Sequence, residues 1–314
     1  MTVGKQGEGS LSVTGTKSLV QYAGDLVVGK EANGTFSIAN GANTAPTAGG
    51  TGDVYLGETS GINGSLTIDG NGSNLAATDM VVGGTSSKAG GNGSVNLTNN
   101  GSLTVAQALT MWKGGSLDVA GGYATIGAAP HSTTNGNVYV GSGGQLTGSG
   151  KITGNVMITS ATVDVGGAAA GTLSIAGNYS QQGGSLKFTI AGNGSGQASQ
   201  LDATGTVNIS NSTVEFDFVN HYAPIKGQTF QVIDPPQSVG LNGVSYTVTG
   251  LANGFLFDVS QNTNGLLFTA LNNGIATSSP TPEPAVLALL LASLGGLAIA
   301  RRKPGLACRQ RNAL

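Results

Sequence analysis

Short runs of alternating apolar and polar residues, each entered or left through glycine, recur along the first half of this chain. One element is an apolar run that ends in glycine. It occurs as Val3-Gly4, Leu26-Val27-Val28-Gly29, Val54-Tyr55-Leu56-Gly57, Met80-Val81-Val82-Gly83 and Val138-Tyr139-Val140-Gly141. The closing glycines Gly4, Gly29, Gly57 and Gly83 follow one another at a nearly constant interval, and the step from Gly83 to Gly141 is two such periods. Leu109-Thr110-Met111-Trp112 stands where the intervening copy belongs. A second element begins with glycine: Gly9-Ser-Leu-Ser-Val13, Gly34-Thr-Phe-Ser-Ile38, Gly64-Ser-Leu-Thr-Ile68, Gly93-Ser-Val-Asn-Leu97 and Gly115-Ser-Leu-Asp-Val119. Apolar residues at every second position predict short strands with one buried face. Asn33, Asn63 and Asn92 each precede a glycine, a pair suited to tight turns. No helical periodicity precedes residue 285.

A short strand of this kind has no core of its own. Stacking one repeat on the next buries the apolar faces, which predicts an all-β solenoid, a right-handed parallel β-helix. A β-sandwich also uses many short strands and is the competing fold, though sandwiches do not ordinarily repeat a sequence signature. The period fades after residue 145. Longer strands are expected at Leu186–Ile190, Val207–Ile209, Val214–Val219 and Thr229–Ile233, and Phe216, Phe218, Phe230, Phe255 and Phe257 gather in the same region. A solenoid needs a different terminal module to cover its last apolar rung, so a C-terminal β cap is expected there, with these rings as its core. The expected division is a repeat β-helix over 1–145, a distal β-helix over 146–183, a cap over 184–272 and a linker over 273–281. The segment 282–303 is then expected to be a sorting signal with a short transmembrane helix as its anchor, and 304–314 a basic tail.

Composition narrows the class. Of 314 residues 54 are Gly, and only 9% are charged. Thirteen Lys and Arg residues are too few for a nucleic-acid patch. The 39% apolar content and net charge of −2 exclude an acidic disordered linker. Glycine does not recur at every third residue, so collagen is excluded. The small net charge conceals an asymmetry. All 15 acidic residues precede residue 285, whereas Arg301, Arg302, Lys303, Arg309 and Arg311 follow the apolar run Ala285 to Ala300. Sixteen residues of helix span about 24 Å, short for a full crossing, and the basic triad Arg301, Arg302 and Lys303 is a stop-transfer signal that holds the C-terminus in the cytoplasm. The residues Met1 to Ser10 carry no secretory signal and open inside the repeat, which points to a truncated or mis-started reading frame.

Little in the chain promises chemistry. His131 and His221 are the two histidines, far apart in the chain and without ligand-like neighbours, and Cys308 is the single cysteine. No metal or cofactor is expected. Asp53, Asp69, Asp79, Asp118, Asp164 and Asp202 are scattered. Glu215 and Asp217, two apart in a strand, share a face and form the best carboxylate pair, with surface solubility as their first reading. The calcium nonapeptide and the phosphate loop are both absent. Asn33, Asn63, Asn71, Asn92, Asn178 and Asn208 lie in Asn-x-Ser/Thr sites, a pattern that chance supplies freely in so Asn- and Ser-rich a chain.

Two resemblances bear on function. The alternation of apolar-x-Val-Gly with Gly-Ser-Leu-x-Val resembles the repeat of autotransporter passengers and PEP-CTERM-associated proteins. The order Pro282-Glu283-Pro284, apolar run, Arg301-Arg302-Lys303 resembles the PEP-CTERM sorting signal of Gram-negative bacteria. The departure is the longer extension Pro304 to Leu314. The resemblance implies an exported cell-surface or extracellular-matrix protein of structural, adhesin-like character. It further implies processing by an exosortase near Pro282, Glu283 and Pro284, transient anchoring in the inner membrane, and polysaccharide as a possible contact. A carbohydrate-active β-helix enzyme and an autotransporter passenger fragment are the alternatives.

Overall fold

A computed structural model describes residues 1–48, 52–127, 136–234, 238–262 and 265–277. Among the described residues there are strands and no helix. The chain winds as a parallel β-solenoid with three faces per turn.

The first face stacks Thr2–Val3, Leu26–Val28, Val54–Leu56, Met80–Val82, Ala108–Met111 and Asn137–Val140 in parallel register. It continues through the first half of Asn155–Val165, the first half of Tyr179–Ile190, Val207–Ser210 and Val239–Asn242. Leu109 pairs with Met80 on one side and Val138 on the other, the place the spacing assigns to it. The second face stacks Gly9–Thr14, Gly34–Ala39, Asn63–Asp69, Asn92–Thr98, Gly115–Ala120 and Gln145–Gly148. The second halves of the two long strands, then Thr213–Phe218 and Ser245–Thr249, extend it. Equivalent residues of the repeat lie directly over one another: Gly9, Gly34, Gly64, Gly93 and Gly115 form one column.

The third face is not foreshadowed by either repeated element. Leu19–Tyr22, Asn43–Pro46, Asn74–Ala77, Ser102–Val105, Tyr123–Ile126, Lys151–Thr153, Thr172–Ala176 and Gln200–Ala203 run parallel along it. The turn size also varies. Met80 pairs with Leu109 and Leu109 with Val138, two equal steps along the chain, whereas Val138 pairs with Val156, a much shorter one. After the short turn the steps lengthen again, from Val156 to Tyr179, to Val207 and to Val239, so no constant period carries the repeat signal past residue 145.

The core is a set of apolar columns inside the three faces. On the second face one column runs Leu11, Phe36, Leu66, Val95, Leu117, Leu146, Val163, Leu186, Val214, Tyr246. Like-on-like stacking at the strand spacing of about 4.8 Å keeps every buried side chain in van der Waals contact with the rungs above and below. Polar side chains are also built into the filling: Gln181 is buried in a first-face column, accepts a hydrogen bond from the Tyr179 hydroxyl, and donates to the Gly183 carbonyl at 3.2 Å.

Parallel stacking continues through residue 249 on the second face. At the end of the third face the direction reverses. Thr229–Asp234 pairs parallel with Gln200–Ala203, then Gly265–Ala270 and Phe257–Asn262 add antiparallel. The rings of Phe216, Phe218, Phe230, Phe255, Phe257 and Phe268 pack together there, Phe216 and Phe268 with centroids 4.6 Å apart.

Candidate functional site

The outward side of the second face is the most regular surface of the molecule. One column reads Ser10, Thr35, Ser65, Ser94, Ser116, Gln145, Thr162, Ser185, Thr213 and Ser245. Ser94 Oγ donates to Ser65 Oγ at 3.1 Å, and Ser185 Oγ to Thr162 Oγ1 at 3.4 Å. The neighbouring column begins with Ser12, Ser37, Thr67 and Asn96 and becomes charged further along, at Asp118, Asp164, Lys187 and Glu215. Hydroxyls that repeat at strand spacing offer paired donors and acceptors along the rod.

Glu215 and Asp217 share this face, as their spacing requires. They do not stand alone. Lys187 Nζ reaches Asp217 Oδ2 at 2.9 Å and Asp164 Oδ2 at 3.6 Å. Thr249 Oγ1, one rung on, lies 2.9 Å from Asp217 Oδ1 and 3.1 Å from Glu215 Oε1. The rungs thus bring Asp164 and Lys187, from earlier turns, beside a pair from which they are far removed in sequence. A signal for Lys187 was present: Gly184-Ser185-Leu186-Lys187 repeats the Gly-Ser-Leu-x element, whose x position is always the second outward column.

The electrostatics are those of a partly buried ion network. Burial pushes the Asp164 carboxyl above the usual carboxylate range, and the attraction of Lys187 only partly offsets it. Asp164 Oδ1 is buried with no hydrogen-bond partner. Burial alone lowers the Lys187 value, but its hydrogen bond to Asp217 and the charge of Asp164 prevail and hold it above the ordinary lysine range. Glycosidic cleavage by two carboxylates needs the scissile bond between them. Here the ammonium group of Lys187 occupies the space between Asp164 and Asp217.

Lys187→Met tests the network. Lys187 has a raised value in the fold, so its stabilisation is complete below the ordinary lysine value of about 10.4 and is lost as pH rises past it. Asp164 works the other way, because a raised carboxyl value costs stability as pH rises through the carboxylate range. At pH 7 the variant therefore keeps unpaired carboxylates and is expected to lose about 1 kcal/mol. The gap to wild type should close as pH falls and Asp164 takes up its proton. Urea midpoints at pH 7 and pH 4 measure this; an equal gap at both pH values contradicts the assignment.

Acids that look scattered in the sequence also meet at one corner of the solenoid. Asp53 Oδ1 accepts the Asp79 amide at 3.3 Å, and Asp79 Oδ1 accepts the Ala108 amide at 3.0 Å. Three rungs further the same corner is held by asparagine: Asn155 Oδ1 accepts the Asn178 amide at 3.0 Å, and Asn178 Oδ1 accepts the Thr206 amide at 2.9 Å. Burial raises the Asp53 carboxyl, with the charges of Asp79 and Asp25 adding. At another corner Asn33 Oδ1 accepts the Asn63 amide at 2.9 Å, and Asn92 Nδ2 donates to Asn63 Oδ1 at 3.0 Å. The side chains of these three Asn-x-Ser/Thr sites thus bond to the neighbouring rung.

No protein-family model matches the chain, and a search of curated proteins finds no match. Among the described residues no group of three or more His, Cys, Asp and Glu side chains is arranged to hold a metal ion. Among them, too, no helix is long and apolar enough to cross a membrane. Pro282, Glu283, Pro284, Arg301, Arg302, Lys303 and Cys308 lie outside the described residues, as does His131. His221 is exposed at the end of the rod with φ +58°.

Proposed function

We propose that this chain is an exported bacterial cell-surface or matrix protein, structural and adhesive in role. The observation that carries the reading is the hydroxyl column of the second face, from Ser10 to Ser245 and broken at Gln145, on a rod whose rungs share one register. A rigid rod with a repeating polar face suits contact with an extended polysaccharide, whose hydroxyls also repeat. Parallel crossovers favour the right-handed coil. The antiparallel strands Phe257–Asn262 and Gly265–Ala270 act as the cap that covers the last apolar rung.

Sorting rests on the terminal sequence. Pro282-Glu283-Pro284 followed by an apolar run and Arg301-Arg302-Lys303 is read as a PEP-CTERM signal, held briefly in the inner membrane and cut by an exosortase. Mass spectrometry of the envelope form tests it. The expected mature protein ends near Pro284; a secreted form that retains residues 301–314 overturns the sorting reading. Genomic context gives a second check, since an exosortase gene is expected.

A further inference from the structure

The first face carries a cleft that the polar columns do not explain. Its outward column contains Val27, Tyr55 and Val81. Val27 and Val81 are buried although they point away from the core. The chain beyond Gly83 folds back at this place, closed by a bridge between Gly84 and Ala89 and fastened by Trp112 Nε1, which donates to the Thr85 carbonyl at 2.8 Å. Between this flap and the face lies a cleft of about 230 Å³, walled by Val27, Tyr55, Thr85 and Ser86 and rimmed by Lys30 and Glu58.

We propose that the cleft binds a single amine-bearing sugar unit of a polysaccharide, with the Tyr55 ring beneath it and Glu58 receiving its ammonium group. The inference rests on the polysaccharide reading above and narrows it to one site. The lining and the size of the cleft support it. Glu58 Oε2 is buried with no hydrogen-bond partner, and Lys30 Nζ stands 3.8 Å away, beyond hydrogen-bond reach. A buried carboxylate oxygen in that state favours an incoming charged donor. Asp25 also lines the cleft, and Asp53 Oδ2 lies 3.5 Å from the Tyr55 hydroxyl, so carboxylates stand beside Lys30 around the site. Burial and the charges of Asp53 and Asp25 hold that hydroxyl above the ordinary tyrosine range, so it stays protonated and the ring stays neutral. A neutral tyrosine face attracts a cation as well as an apolar sugar face. Val27 supplies an apolar wall, and Thr85 and Ser86 add polar groups to the lining, a mixture that suits a sugar ring with one apolar face and a polar edge. The volume is below the usual drug-sized range and suits one ring.

Calorimetry on the purified full chain at pH 6 tests this with three probes: a glucosamine oligosaccharide, its N-acetylated counterpart and spermidine. The glucosamine oligomer is expected to bind. The N-acetylated oligomer, which lacks the cation, and spermidine, which lacks the ring, should each bind at least about tenfold more weakly, the scale of one lost charge-assisted hydrogen bond. Glu58→Gln keeps the shape and should weaken the glucosamine oligomer by a similar factor. Tyr55→Ala should abolish binding. If that variant fails to fold, Glu58→Gln carries the test. Tyr139→Ala, in the same outward column but three rungs away, should bind as wild type does. Equal affinity for the acetylated oligomer, spermidine binding as tight as the amino sugar, or an unchanged Glu58→Gln variant each overturns the proposal. Loss of this binding in a protein still processed and retained at the envelope refutes the cleft alone and leaves the sorting reading standing.

Discussion

Gly64→Ala is expected to cost about 3 kcal/mol, the upper part of the range for overpacking, although it adds one methyl group. Gly64 opens the second face and is stacked between Gly34 and Gly93. A Cβ there would stand 2.1 Å from the Val28 carbonyl oxygen and 2.3 Å from the Gly57 amide nitrogen. Both are backbone atoms of rungs that are themselves hydrogen-bonded on either side, so no side chain is free to rotate away. The strain must be taken up by separating two rungs. In a chain of this size the loss corresponds to a fall in Tm of roughly 6–12 °C. Gly7→Ala is the control, since a Cβ at Gly7 meets nothing within 4 Å. Its Tm should stay within about 2 °C of wild type, as for an ordinary surface change. Equal melting of the two variants would show that the corner is not close-packed.

Phe216→Ala should cost about 3–5 kcal/mol, the usual loss for a fully buried aromatic ring. Phe216 is wholly buried, with ring centroids 4.6 Å from Phe268, 6.2 Å from Phe188, 6.3 Å from Phe257 and 6.4 Å from Tyr246. Phe188 and Tyr246 belong to the parallel rungs, whereas Phe257 and Phe268 belong to the antiparallel strands. The ring therefore joins two modes of strand pairing. Because each rung touches mainly its neighbours, the damage should remain local. Hydrogen exchange is expected to show lost protection across 229–270 with amides of 63–126 unchanged. Uniform loss of protection along the rod would refute the local picture and indicate one cooperative unit.

The two repeated elements were readable because every rung asks the same of them. Gly at the entry of the second face and Val or Leu inside it recur, since each meets its own copy above and below. The third face makes no such uniform demand. Its inward positions run Val20, Thr44, Leu75, Leu103, Ala124 and Ile152, a mixture of sizes and polarity on strands of three or four residues. The same limit governs the ion network. Glu215 and Asp217 were legible from a spacing of two, whereas Asp164 and Lys187 join them only through the lengths of the intervening turns, which differ from one another. Those lengths are set by loops and corners rather than by any periodic demand. Gln181 was hidden for another reason: a polar residue at an inward position reads as a surface residue until the Tyr179 hydroxyl is seen to satisfy it.

The ladders of all three faces direct their hydrogen bonds along the length of the rod, so a pull on its two ends loads those bonds one rung after another rather than all together. A turn such as that from Val54 to Met80 holds about 26 residues, which extend to roughly 90 Å once released. Under tension the protein should lengthen in steps, each giving up one turn while the remaining turns hold, and shorten again as turns restack. The short turn from Val138 to Val156 would give a smaller step, distinguishable from those of its longer neighbours. Such a rod absorbs force by releasing chain, one turn at a time.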